Sequence, residues 1–486
     1  MEDKDTQNRK RLVARDPMVN PRTWVKAPAG GGKTTFLLSI AKTHPSKRFL
    51  LVTFSKALQM DVKQRAWREN VRNITVRTFD SLTYTATGGS DIQSLYPRVV
   101  VGAFWPKLGK AWYRKKGGRD IGKVCEQALR CTGTFVPCEY HAQTSLDTYV
   151  LPELWGDNPK IRSHAGNRRT LFEANRPLVD ANAPYDVIVV DEVQDLDNQA
   201  LILLDRCKQP IVYVGDPMQK IYGFSSNFKC KCQFQDGPPP PYFPEEHTVS
   251  LYKTFRLNAG TVKYLNDLDI VQMVAHRHDK PLFPGIVLVP TSIYWAFPGL
   301  CYMFRSNAEV CKFVLDSDTP ASVQIVGGKD IAHQVESFKF QKNEHNFHPF
   351  ANFVRSLPKT ERETLTVALR ERHTDGAVCT DGPIACTVHR AKGSECEYAV
   401  VERTMLRSLH TEKPSFSQRS KNEEEEIRIA YVAFTRHRST LLVSNYGTGG
   451  PEVPEGLLQH FDHKTAEFEG LLMTNKRKRD DEICFF

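Results

Sequence analysis

Three glycines run into a lysine and a threonine in Ala27-Pro-Ala-Gly-Gly-Gly-Lys-Thr34. Gly30, Gly31 and Gly32 let backbone N–H groups turn inward with no Cβ in the way. A helix beginning directly after them aims its positive end at the same point, and together these features bind phosphate. Lys33 can reach terminal phosphates, and the Thr34 hydroxyl can ligate Mg²⁺. The second constellation is Val187-Ile-Val-Val-Asp-Glu-Val-Gln-Asp195, two acids at the end of an apolar run. Adjacent carboxylates are expensive to bury unless a cation or a proton-transfer role compensates. Asp191 is the natural Mg²⁺ partner, and Glu192, pointing differently, can polarise an attacking water. Taken singly, these are a glycine-rich turn and a solvated loop. Together they read as the site of phosphoanhydride chemistry.

Such groups need rigid strand ends and helix starts to hold them. Thr23-Trp-Val-Lys-Ala reads as a strand followed by a glycine turn and a helix from Thr34 to Lys42. Phe49-Leu-Leu-Val-Thr-Phe is a second strand, followed by a helix over Ala57–Trp67, and Ile74–Arg77 a short third. Asp186-Val-Ile-Val-Val-Asp and Ile211-Val-Tyr-Val-Gly return to the same pattern. Short apolar strands alternating with helices predict an α/β fold, a parallel sheet covered on both faces. Ligands of such sheets collect at the carboxyl ends of the strands, where both constellations lie. Between these stretches, residues 85–184 read as an insertion with an aromatic-basic patch at Trp105–Lys116. Asp236-Gly-Pro-Pro-Pro-Pro-Tyr-Phe-Pro reads as a stiff surface loop. Strands resume near Ile286, and the acidic run Glu423–Glu426 introduces a helix over Ile427–Phe434.

The chain has 486 residues, 40% hydrophobic and 25% charged. That length suggests about three domains and excludes global disorder or a fibrous repeat. Lys plus Arg number 66 and Asp plus Glu 56, a net charge of +10 that suits a polyanionic partner. Twelve cysteines show no disulfide or paired zinc spacing, including the group Cys125, Cys131, Cys138 and His141 and the pair Cys230 and Cys232, and read as reduced thiols. The polar start argues against a secretory signal. The uncharged stretch Leu282–Phe304 is broken by Pro284, Pro290 and Pro298, and reads as buried strands and turns. The expectation is an intracellular protein, nuclear or cytoplasmic, with no membrane partner; Lys476-Arg-Lys-Arg479 is a candidate import signal.

The order of motifs resembles the UvrD/Rep-type superfamily 1 DNA helicases, and within them the helicase portion of the F-box DNA helicases. Ala27–Thr34 looks like the first motif and Val52-Thr-Phe-Ser-Lys-Ala the next. Thr78-Phe-Asp-Ser is similar to the family's Thr-Phe-His-Ser, and Asp191-Glu-Val-Gln-Asp to its Asp-Glu-x-Gln-Asp box. Val214-Gly-Asp-Pro-Met-Gln-Lys-Ile-Tyr-Gly-Phe resembles the third motif. Thr254-Phe-Arg resembles the fourth, with Tyr302-Met-Phe-Arg-Ser-Asn-Ala its companion. Thr387-Val-His-Arg-Ala-Lys-Gly-Ser-Glu looks like the fifth and Tyr431-Val-Ala-Phe-Thr-Arg the sixth. The resemblance runs from about Trp24 to Arg438.

It implies two RecA-like parallel-sheet P-loop NTPase lobes with a mainly helical insertion in the first and ATP in the cleft between them. The first lobe would take residues 1–84 and 185–285 around the insertion 85–184. The second would take 286–465, its own insertion reduced or missing, before a basic tail at 466–486. The implied cofactors are ATP and Mg²⁺, with Thr34 and Asp191 as metal ligands. The implied catalytic groups are Lys33, Glu192, Gln219 as γ-phosphate sensor, Arg256 from the first lobe and Arg436 from the second. Guanidinium forks suit charge spread over phosphoryl oxygens. Ala29, Gly30, Gly31, Gly32, Lys33, Thr34 and Thr35 would cradle the nucleotide, with Phe255 stacked on adenine and Glu395 near the ribose and γ-phosphate. Phe54, Tyr222 and Phe224 match base-stacking positions; for Phe54 and Phe224 core packing is the competing reading. Thr78, Thr387 and His389 match phosphate-contacting positions.

The chain departs from the pattern at several points. No adenine-reading Gln motif precedes the first strand beyond Gln7, Asp80 replaces a His, and Ser225-Ser226 replace an Arg-Gly. No F-box is read upstream, so ubiquitin-ligase recruitment is not implied. The expected activity is ATP-driven movement, 3′ to 5′, on single-stranded or tailed DNA in replication, recombination or repair, with protein partners unassigned. Rival readings are an RNA-directed ATPase of the same superfamily, a non-catalytic ATP-binding scaffold, and a small-molecule P-loop kinase. The last is disfavoured by Gln219 and Arg436.

Overall fold

A computed structural model of the chain describes residues 4–14, 22–88, 93–95, 161–196, 198–221, 247–276, 286–289, 296–339, 349–375, 382–402, 405, 421–444 and 461–462. These cluster into two units, one of Met1–Ala27 with Gly32–Leu251, the other of Pro28–Gly31 with Tyr252–Phe486. The cysteine groups discounted above, most of the segment 85–184, the proline-rich loop and the basic tail lie outside the described residues.

Strands of the first unit are β1 (Arg22–Lys26), β2 (Phe49–Thr53), β3 (Ile74–Thr78), β4 (Gln93–Leu95), β5 (Ile161–Ser163), β6 (Val187–Val190), β7 (Ile211–Gly215) and β8 (Thr248–Ser250). Six of them form one sheet in the order β3-β2-β6-β7-β1-β8. Every pairing in it is parallel; β4 and β5 form a separate parallel pair. The central strands β2, β6 and β7 are buried at every residue, whereas β1, beside the edge, alternates. This is why they read as unbroken apolar runs: helices cover both faces. Phe49 and Leu51 point into a core with Phe36, Leu37 and Ala41 of the helix Lys33–Thr43. Leu50 and Val52 point the other way, against Phe79, Leu171 and Leu203. Alternate residues of one strand thus serve two helix layers.

The second unit repeats the plan. Its strands are β9 (Lys253–Thr254), β10 (Val274–Ala275), β11 (Ile286–Val289), β12 (Leu300–Phe304), β13 (Gln324–Val326), β14 (His373–Thr374), β15 (Ile384–Thr387), β16 (Cys396–Glu402), β17 (His437–Ser444) and β18 (Phe461–Asp462). Eight form a sheet in the order β14-β13-β15-β12-β16-β17-β11-β18, all parallel. The stretch Leu282–Phe304 supplies β11 and β12, as its prolines predicted. No helix among the described residues is long and apolar enough to cross a membrane.

The helix before β17 begins earlier than its apolar pattern suggested, spanning Lys421–Phe434 with the acidic run inside it. Two of the glutamates occupy the first turn, where the helix dipole favours negative charge. Glu426 accepts a forked pair from Arg305, with Nε at 2.8 Å and Nη2 at 2.6 Å, and Glu424 accepts from Arg428 at 2.9 Å. The run is paired. Five cysteines among the described residues are buried and outside any disulfide: Cys207 in the first unit, and Cys301, Cys311, Cys386 and Cys396 in the second.

Candidate functional site

In the first unit the last glycine of the turn behaves as its position predicts. Gly32 caps the helix Lys33–Thr43 with φ 70°, a left-handed conformation that disfavours a Cβ. No acidic residue of the helix itself occupies its first turn. Lys33 is buried there, its Nζ 3.7 Å from Glu192 Oε1. Thr34 Oγ1 donates to Asp191 Oδ2 at 2.8 Å, so hydroxyl and carboxylate oxygens stand side by side. Thr35 Oγ1 accepts from Arg65 at 2.6 Å.

Asp191 and Glu192 leave the carboxyl end of β6 in different directions. Glu192 takes a left-handed backbone, φ 52° and ψ 44°, and its N–H donates to Asp191 Oδ1 at 3.0 Å. Burial, then the Glu192 charge beside it, push the Asp191 carboxyl up to about 6, against the pull of Lys33 and Thr34. A buried carboxylate next to a hydroxyl oxygen is a hard-oxygen donor set of the kind Mg²⁺ takes alongside phosphate. The residues present fit that ion.

Gln219 is buried in the short turn after β7, and its Nε2 donates to Asp216 Oδ2 at 2.9 Å. Asp216 N in turn donates to Gln194 Oε1 at 3.0 Å, and Gln194 Nε2 donates to Glu192 Oε2. Gln194 and Asp216 had no role in the sequence reading, although both lie inside quoted motifs. What singles them out is three-dimensional: they join the two acidic loops after the neighbouring strands β6 and β7.

In the second unit, Gly30 has φ 68°, and a Cβ there would meet Arg256 Cβ and Thr254 Oγ1. Gly30 O accepts from Phe255 N at 2.8 Å, and Ala29 N donates to Tyr431 Oη at 3.2 Å. Gly31 N donates to Pro28 O at 2.9 Å, which closes the turn. Arg256 Nη1 donates to Thr435 O at 2.9 Å and its Nη2 pairs with Glu395. Arg438 Nε donates to the other Glu395 oxygen at 2.7 Å. Burial alone would raise the Glu395 carboxyl, but Arg256 and Arg438 overcome it and hold it at about 2. Arg436 is almost wholly buried, donating to Val432 O at 3.0 Å and Thr435 Oγ1 at 3.2 Å. Arg256 and Arg436 therefore meet at Thr435. Phe255 is 42% exposed, its ring edge-on to His276 at 4.8 Å.

Of the positions matched to nucleic acid, Phe54 follows β2 and Thr78 ends β3, at neighbouring strand ends. Phe54 is 40% exposed, which removes core packing as its role. Thr78 caps the helix Phe79–Ala86 by accepting from Ser81 N at 3.2 Å, and Asp80, where the family has His, pairs with Arg168 at 3.4 Å. Thr387 is buried at the end of β15, and His389 is half-buried in the turn Val388–Ala391. Tyr222 and Phe224, with Ser225 and Ser226, lie outside the described residues.

Parallel sheets with a phosphate turn after β1 and paired acids after β6 define a P-loop nucleotide-binding fold with two RecA-like lobes. The AAA domain family matches residues 11–225, and the UvrD-like helicase C-terminal domain family matches residues 329–448. In these two stretches the chain is similar to UvrD-like helicases, and it resembles the F-box DNA helicases. It is 24% identical over 547 aligned positions to F-box DNA helicase protein 1 of Schizosaccharomyces pombe, covering 95% of this chain and 59% of that one. It is 24% identical over 234 positions to F-box DNA helicase 1 of Gallus gallus, covering 41% of this chain and 22% of that one. The chain therefore spans less than two thirds of the length of these relatives. A solved arterivirus nonstructural protein 10 (helicase) with DNA covers 90% of this chain and 63% of its own at 13% identity and a TM-score of 0.33, too slight a likeness to inform the fold.

Proposed function

We propose that this chain is an ATP-driven motor on single-stranded or tailed DNA, a helicase or translocase moving 3′ to 5′ in replication, recombination or repair. The observation that carries the ATPase part is the double pairing in the first unit: Thr34 with Asp191, and Lys33 with Glu192. In this reading Lys33 and the turn amides bind the terminal phosphates. Thr34 and Asp191 hold Mg²⁺, which when bound neutralises charge on the phosphate oxygens. Glu192 orients the attacking water and its carboxylate takes the proton. Gln219 senses the γ-phosphate. Arg256 and Arg436 contact the phosphoryl oxygens, with Glu395 holding Arg256 in place beforehand. Phe255 stacks on the base of the nucleotide. DNA as the track is supported by the names of the two F-box relatives and by the exposed ring of Phe54 beside Thr78. Stacking on such a ring tolerates any base.

The test is ATP turnover with and without single-stranded DNA in wild type, Lys33→Ala and Glu192→Gln. Wild type is expected to be stimulated by DNA, with both variants near background. Unstimulated wild-type turnover matching both variants would refute the motor. Stimulation by RNA in preference to DNA of equal length would move the track to RNA, and duplexes with 3′ or 5′ tails report polarity.

A further inference from the structure

Gln194 is buried, and both ends of its side-chain amide are engaged. The orientation of that amide has one solution. The Glu192 carboxylate can only accept, so it faces the Gln194 NH₂; the Asp216 backbone N–H can only donate, so it faces the Gln194 carbonyl. The space for the carbonyl exists because residue 215 has no side chain. A Cβ on Gly215 would land on Gln194 Oε1 and crowd Val193 Cγ1. The Asp216 carboxylate is tied down as well, accepting from Met218 N at 3.0 Å and Gln219 Nε2 at 2.9 Å. Glu192 itself sits on a left-handed backbone, which by itself leaves the direction of its long side chain unsettled.

We infer that Gln194, seated in the gap left by Gly215, is a positioning residue that fixes the Glu192 carboxylate for attack by water and ties it to the loop bearing Gln219. The inference rests on the ATPase reading and adds to it a residue that touches neither nucleotide nor water. By holding Oε2, Gln194 turns Oε1 toward Lys33, 3.7 Å away. A change in the Asp216–Gln219 turn would then pass to the proton acceptor through one side chain.

The test uses the full chain and a double-mutant cycle. Gln194→Met keeps the length and volume of the side chain but can neither donate to Glu192 nor accept from Asp216. It is expected to lower kcat about 10–100-fold, the size that losing an outer hydrogen-bond partner has at metal sites. ATP affinity, measured by equilibrium binding of a fluorescent ATP analogue, is expected to stay at the wild-type value. In a Glu192→Gln background, where the residual rate is read by single-turnover hydrolysis with enzyme in excess, the same substitution should cost nothing more, since its target is already disabled. Gly215→Ala approaches from the other side and is expected to lose kcat without loss of affinity. Wild-type kcat in Gln194→Met or in Gly215→Ala overturns the inference. So does an equal fractional loss in both backgrounds, which marks a merely structural role. A wild type without turnover overturns the ATPase reading and takes this inference with it, whereas active wild type with a slow but measurable Glu192→Gln isolates Gln194.

Discussion

His437 is fully buried at the start of β17, with its Nε2 3.1 Å from Thr261 Oγ1. Burial first, then the nearby Arg256 and Arg436 charges, lower its pKa from 6.5 to about 3. The folded value lies below the unfolded one, so the stability it confers is whole above pH 6.5 and drains as the pH falls toward 3. Each pH unit in that window is worth about 1.4 kcal/mol. Moving from pH 7.5 to pH 5 should therefore cost the fold about 2 kcal/mol through this residue alone. His437→Gln can still hydrogen-bond Thr261 but cannot titrate. It is expected to be the less stable protein at pH 7.5, since the ring packing is lost, yet to lose about 2 kcal/mol less than wild type on acidification. Urea denaturation followed by circular dichroism at the two pH values measures both. Parallel losses in wild type and His437→Gln would show that the ring is not held neutral, and the argument would fail.

Gly30→Ala should abolish DNA-stimulated ATP turnover, because the new Cβ meets both a left-handed φ and Arg256. Gly88→Ala is the control: its φ is 80°, nothing lies within 4 Å, and only the backbone penalty of about 1–2 kcal/mol is expected. Full turnover in Gly30→Ala would refute the close approach. Phe54→Ala should weaken single-stranded DNA binding by about 1–3 kcal/mol whatever the sequence, as read by fluorescence anisotropy; unchanged affinity would return Phe54 to a structural role. Thr34→Ala should raise the Mg²⁺ concentration needed for half-maximal turnover, since one of two protein oxygens is gone; an unchanged Mg²⁺ titration would remove Thr34 from the metal.

Much of this was legible along the chain, for identifiable reasons. β2, β6 and β7 are covered on both faces, so their residues had to be apolar without a break, and such runs need no partner to be recognised. The glycine turn was legible because its chemistry is carried by consecutive residues. What stayed hidden were side-chain destinations. Gln194 finds its place in a gap that exists only because residue 215, on another strand, lacks a Cβ. Arg256 was known as the arginine of the Thr254-Phe-Arg motif, but its anchoring by Glu395 and Thr435 joins residues 139 and 179 positions away. Four consecutive acids hid the start of a helix, because periodicity is silent about charges whose partner, Arg305, lies 121 residues upstream. Phe54 had two readings in sequence, and its exposure speaks against core packing.

The buried thiols also have an experimental use. Cys301 and Cys386 stand on neighbouring strands with their sulfurs 3.7 Å apart, and burial pushes the Cys311 thiol up to about 12. All three are buried out of reach of alkylating reagents, so these sulfurs stay silent while the sheet is closed. Their labelling rate then counts opening events of the second unit, and that of Cys207 counts those of the first. The chain carries its own timers for local opening, one set in each unit, with no dye to be engineered in.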